Sequence, residues 1–184
     1  MRWFALLCLI AAAAPAAAQP RPDPRKAEID ALLGALHQAP DEPQAGMIEL
    51  RLRQVWLQAG TPVTSMLMAS GLDALRRDAP RDALDDFNAV LALEPNLADA
   101  FQQRALAHFT LGDYRGAVAD IEAALQREPR DFAAFETLSR IAEAQGDAKG
   151  ALAAWRRAMA ISPKTPGGPA RLQLLIRKAD GEAT

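Results

Sequence analysis

From Thr64 to Thr165 the apolar and polar positions repeat three times in phase, with a period of 34 residues. In the middle copy Phe101, Ala105, Leu106 and Phe109 recur at helical spacing, and Ala117, Val118, Ile121, Ala124 and Leu125 recur again after a turn. The spacing predicts two amphipathic helices per copy, A and B, over 64–97, 98–131 and 132–165. Small residues coincide at Gly71, Ala105 and Ser139, and alanines at Ala83, Ala117 and Ala151. Large apolar residues coincide at Phe87, Ile121 and Trp155, and prolines at Pro95, Pro129 and Pro163. Gly112 and Gly146 share a turn position that Asp78 fills in the first copy. The small residues let two helices approach closely, while the prolines end each helix B because proline lacks a donor and clashes with the preceding turn. Each hairpin leaves an apolar face open and needs a neighbour to cover it.

The same positions resemble the tetratricopeptide repeat family. A bulky residue opens helix A (Leu67, Phe101, Phe135), a small residue follows one turn on, and a Gly-Asp-Tyr-like turn leads to the alanine of helix B. The middle copy matches best, with Gly112, Asp113, Tyr114, Ala117, Ala124 and Pro129. The first departs most, with Asp-Ala-Pro at 78–80 and Val90 where the others carry Ala124 and Ala158. The resemblance implies an all-α fold, a right-handed superhelix of antiparallel helix pairs, and a function that lies on its surface.

Outside the repeats, the apolar pattern predicts helices over 26–37 (Ile29, Leu32, Leu33, Leu36) and from about Gln44 to Ala59 (Met47, Ile48, Leu50, Leu52, Val55, Trp56, Leu57). Pro40 and Pro43 break the chain between them, and Thr61-Pro62 reads as the cap and first residue of the next helix. Residues 26–60 therefore read as a degenerate helix pair covering the first repeat. Its Ala-Pro-Asp-Glu turn and arginine-rich helix ending in tryptophan resemble the start of small exported repeat proteins of alphaproteobacteria. Beyond the proline/glycine break at 164–169, residues 168–179 read as a C-terminal capping helix, apolar through Leu172, Leu175 and Ile176.

Residues 1–18 read as a cleavable signal peptide: a basic Arg2, an apolar core from Trp3 to Ile10, and an A-x-A site at Ala16-Ala17-Ala18. An uncleaved inner-membrane anchor is the alternative. The proline-rich segment 19–25 reads as an extended linker. The only cysteine, Cys8, sits in the signal core, so no disulfide framework is expected. Arginine and alanine usage suits a GC-rich bacterial genome, and with the signal it places the protein in the periplasm. The formal net charge of −2 gives no electrostatic footprint for nucleic acid, and no membrane insertion is expected after signal removal.

Candidate chemistry is sparse. His37 and His108 have no neighbouring His or Cys at metal-ligand spacing. Ser65, Ser70, Ser139 and Ser162 lack a nucleophile-elbow context, and carboxylates such as Asp82, Asp85 and Asp86 read as a solvated helix face. The sequence thus points to no catalysis, cofactor or metal.

The resemblance implies instead a concave groove lined by helix A. Carried over position by position, its residues are Met68, Leu72 and Leu75, then Gln102, Gln103, Leu106 and Phe109, then Glu136, Arg140 and Glu143. Leu72, Leu75, Leu106 and Phe109 also read as partly buried core. Family members that grip an acidic carboxy terminus carry a basic clamp. The matching sites here are Met68, Leu72, Gln103, Ala133 and Thr137, so that clamp is absent. An apolar groove favours an amphipathic helix or an extended apolar segment. The expected function is a non-catalytic adaptor for a protein or peptide partner in the cell envelope. A self-associating scaffold, or an accessory subunit that recruits an envelope enzyme, are the alternatives.

Overall fold

The computed structural model describes residues 24–58 and 60–181, so the reading of 1–18 as a signal peptide lies outside it, as do 19–23 of the expected linker. The described residues are all-α: α1 (Pro24–His37), α2 (Glu42–Leu57), α3 (Pro62–Arg76), α4 (Pro80–Leu93), α5 (Ala98–Thr110), α6 (Tyr114–Arg127), α7 (Phe132–Ala144), α8 (Ala148–Ile161) and α9 (Gly168–Ala179). None of these helices is long and apolar enough to cross a membrane.

Helices α3–α4, α5–α6 and α7–α8 are the three repeats, and each B helix packs on the following A helix. Their turns share one geometry. Asp78, Gly112 and Gly146 all take the left-handed backbone conformation, at φ 57°, 76° and 78°. In each copy the next residue's N–H then closes on a carbonyl five residues back, at 2.9 Å: Ala79 to Ala74, Asp113 to His108, Asp147 to Ala142. Asp113 and Asp147 cap the following helix by accepting from Gly116 N–H and Gly150 N–H. The first copy has no side-chain cap at Ala79; Pro80 at the helix start removes one of the donors a cap would serve.

Small-against-large packing holds each pair together. Gly71 sits so close to Phe87 that an added Cβ would lie 2.6 Å from the ring. Ala105 and Ile121 share the second core, and Trp155 joins Ala151 and Leu175 in the last. Helix α9 caps the C-terminal end: the Trp155 indole donates to the Gly168 carbonyl, while Arg171 and Lys178 both pair with Glu143.

The N-terminal pair departs from expectation. Helix α1 starts at Pro24, inside the expected linker, because Pro24 suits a first helical turn. Helix α2 ends at Leu57. More consequentially, the pair does not cap the first repeat by stacking on it. It lies lengthwise along the superhelix, over the second and third repeats and the start of α9. Glu42 accepts from Gly167 N–H, Glu49 from the Ser162 hydroxyl, and Glu136 from Arg53. At the far end, Trp56 packs on Phe132 with ring centroids 5.7 Å apart. Helix α2 is about 24 Å long at 1.5 Å per residue, enough to cross successive repeats. Its apolar stripe (Ala45, Leu52, Val55, Trp56) shares one core with Ile29, Leu33 and Leu36 of α1 and with Phe132 and Ala133 of α7.

Candidate protein-interaction groove

The concave face is built by the A helices α3, α5 and α7, and α2 packs along one side of it, against α5 and against Phe132 and Glu136 of α7. The half next to the inter-repeat loops is covered by the chain itself. There Glu136 bonds Arg53 at 3.1 Å, and Arg53 also lies over the Phe132 ring at 4.9 Å. Gln102 is buried, and with its amide oriented to suit its neighbours it donates to Asp131 and accepts from Ala134 N–H. Gln103 reaches back to Asp99. Met68 is buried in the core of the first repeat, which Leu57 of α2 also joins.

The other half is open. Leu72, Leu75, Leu106 and Phe109 are half-buried there, and Arg140 is exposed with its guanidinium 5.3 Å over the Phe109 ring. The ten groove residues expected from the sequence thus fall into three sets. Leu72, Leu75, Leu106 and Phe109 are half-buried and Arg140 is exposed; Met68 and Gln102 are buried, Gln103 bonds Asp99 and Glu136 bonds Arg53; Glu143 is occupied by α9. Helix α2 also carries exposed apolar side chains. Arg53 and Leu57 face α7 and the first repeat, and one and two turns earlier on that side come Leu50 and Met47, exposed at 59% and 66%.

Electrostatics differ between the halves. Asp99 and Asp131 lie beneath the α1–α2 pair, and burial pushes both carboxyls up to about 7, against weaker opposing help from Gln103 and Arg25 for Asp99 and from the Ala133 and Ala134 N–H groups for Asp131. Burial also raises Glu136, opposed by Arg53. A cavity of about 360 Å³ lies beside Asp99, walled by Arg25, Lys26, Ile29, Trp56, Leu97 and Arg130. Among the described residues, neither the buried Asp99 Oδ2 nor the buried Trp56 Nε1 has a hydrogen-bond partner.

His108 belongs to a polar network on the α5–α6 pair. Its Nδ1 lies 2.8 Å from Asp113, and Arg104 makes a two-pronged pair with Asp120 at 2.6 and 2.8 Å. Among the described residues no three His, Cys, Asp or Glu side chains gather as a metal site.

The comparisons with known proteins agree with this architecture. A family model described as Tetratricopeptide repeat matches residues 103–169. A TPR repeat-containing protein of Rhizobium etli is 30% identical over 159 residues, covering 86% of this chain and 78% of that protein. Among solved structures, the Sgt2 TPR domain from Aspergillus fumigatus superposes with a TM-score of 0.62 at 25% identity, over 66% of this chain and 82% of that one. The TPR2B domain of yeast Sti1, solved as a pHsp70 complex, gives 0.59 at 20% identity, over 66% of this chain and 98% of that one.

Proposed function

The chain belongs to the tetratricopeptide repeat family, and from that premise we propose that it is a non-catalytic adaptor that docks a segment of a partner protein in the open half of its concave face. The observation that carries this reading is the lane of Leu72, Leu75, Leu106 and Phe109 across successive A helices, with Arg140 at its edge. Four half-buried apolar side chains on α3 and α5 offer anchors for an amphipathic helix, and Arg140 favours an acidic group beside them. A related fold holding a pHsp70 segment supports peptide binding as the mode. The absence of the basic clamp at Met68, Leu72, Gln103, Ala133 and Thr137 argues for a ligand held by apolar side chains and not by a terminal carboxylate.

We place this activity in the periplasm, on the signal-like pattern of 1–18, with the uncleaved inner-membrane anchor as the alternative. The test is a pull-down from periplasmic extract comparing residues 19–184 with a Leu72/Leu106/Phe109 triple-alanine variant, both checked for helicity by circular dichroism. A protein retained by the first and lost by the second supports groove docking. Equal retention by both overturns it in favour of the convex face or the ends. No specific retention, with a mass that grows with protein concentration, favours the self-associating scaffold.

A further inference from the structure

The α1–α2 pair is joined to the repeats through a single short connection, residues 58–61. It is otherwise held by its apolar stripe and by a line of polar contacts: Glu42 to Gly167, Glu49 to Ser162, Arg53 to Glu136, and Asp30 to Arg130. The last of these is about half exposed on both sides, at 47% and 46%. Beneath the pair lie Asp99 and Asp131, both buried; Asp99 accepts from Gln103, and Asp131 from the Ala133 and Ala134 N–H groups. Among the described residues, Trp56 Nε1 and Asp99 Oδ2 have no hydrogen-bond partner while the pair is docked, which offsets part of what the apolar stripe contributes.

We propose that α1–α2 is a releasable strap over the loop-side half of the groove, closed while the carboxyls beneath it hold protons and opened as they lose them. The strap itself supplies the wall that dries Asp99, since Arg25, Lys26, Ile29 and Trp56 all border its cavity. Lifting the strap returns that carboxyl to water, where an ordinary value near ~4 applies. Closure therefore takes up protons. It is strongest below the ordinary carboxylate range and is lost as pH rises through about 7, the value for both aspartates under the strap.

The charges around Asp99 are consistent with this sign. Arg25 of α1 favours the anion, but its guanidinium already donates to the Val55 and Trp56 carbonyls. Lys26, also on α1, is exposed. On the α6 side, Arg127 bonds the Pro95 and Ala123 carbonyls, and Arg130 is shared between Asp30 and Glu128. For Asp131, Asp99 and Glu128 each add to the upward push of burial. Opening uncovers Phe132 and Ala133, which share the strap's apolar core, and releases Glu136 from Arg53, without a change in the repeats. The inference concerns the strap alone and stands whether or not the open half binds a partner.

Hydrogen exchange of the purified protein at about pH 6 and about pH 8.5, corrected for intrinsic rates, tests it. The expected result is α1–α2 amides that open at least about tenfold more often at the higher pH, while α5–α8 amides keep their protection. An Asp99→Asn/Asp131→Asn variant should keep the strap protected at both pH values. In a Cys8→Ser background, a Glu49→Cys/Ser162→Cys disulfide should do the same until it is reduced. Strap opening that ignores pH, that occurs only together with α5–α8, or that keeps its wild-type pH dependence in the asparagine variant would overturn the proposal. If the asparagine variant fails to fold, the wild-type profile with and without the disulfide decides the matter.

Discussion

The Ser162 hydroxyl donates a 2.7 Å hydrogen bond to Glu49, joining the residue that ends α8 to the middle of α2 across 113 positions of sequence, with both side chains buried. Without that donor Glu49 keeps the longer 3.8 Å pairing with Arg53 but loses its shorter, buried contact. Ser162→Ala should therefore destabilise the folded protein by about 1–3 kcal/mol, and Glu49→Gln, which keeps an acceptor for the hydroxyl, by less. Urea unfolding checks this. Equal, negligible losses in both variants would mean that the contact contributes nothing to holding α2 on the repeats.

Gly71 and Phe87 make a tight small-against-large contact in the first repeat. A Cβ at 71 would meet three ring atoms at 2.6–3.0 Å, and Phe87 is fully buried with no free side to move into. Gly71→Ala is expected to cost about 1–3 kcal/mol through overpacking. Gly34, on an exposed face of α1, has nothing within 4 Å of an added Cβ. Gly34→Ala should instead gain about 0.5–1 kcal/mol by helix propensity. Thermal melts of the two variants should shift in opposite directions.

These contrasts mark what was legible in the chain. The repeat helices, the turns at Gly112 and Gly146 and the cap at Thr61 all follow from local chemistry: a period, a permissive glycine, a side-chain oxygen one turn from an open N–H. The position of α1–α2 does not. Its amphipathic stripe fits any apolar surface of the right width, and only contacts far apart in sequence, such as Trp56 on Phe132 and Arg53 on Glu136, select the concave face. For the same reason the sequence could not tell that Glu136 would be taken by α2, or Glu143 by α9.

The first repeat turn is the least well built of the three. Asp78 holds a left-handed conformation that costs a side chain energy and glycine almost none, and Ala79 offers no cap where Asp113 and Asp147 do. Asp78→Gly should stabilise by about 0.5–1 kcal/mol. Asp147→Ala should lose about 1 kcal/mol of capping, and Ala79→Asp should gain a similar amount if Pro80 leaves the next N–H groups within reach. Denaturant midpoints of the three variants rank the turns directly; a gain from Asp147→Ala would contradict the capping argument.

Stability should also depend on pH with two limbs of opposite sign. Glu94 accepts from Thr61 N–H at 2.8 Å and from the Thr64 hydroxyl at 2.7 Å, and these bonds, the backbone one foremost, hold its carboxyl below the ordinary range. Its contribution is present above the ordinary carboxylate value and is lost as pH falls through the lowered one. Asp99 and Asp131 act in reverse: burial raises both to about 7, so their contribution is complete at low pH and is lost as pH rises through that value. The thermal midpoint should therefore be higher at about pH 5.5 than at about pH 8.5, and should fall again in stronger acid. Glu94→Gln should flatten the acid limb alone, and Asp99→Asn the alkaline limb alone. A midpoint that climbs steadily to pH 8.5 would show that Arg25 outweighs burial at Asp99, and that this carboxylate is charged beneath α2.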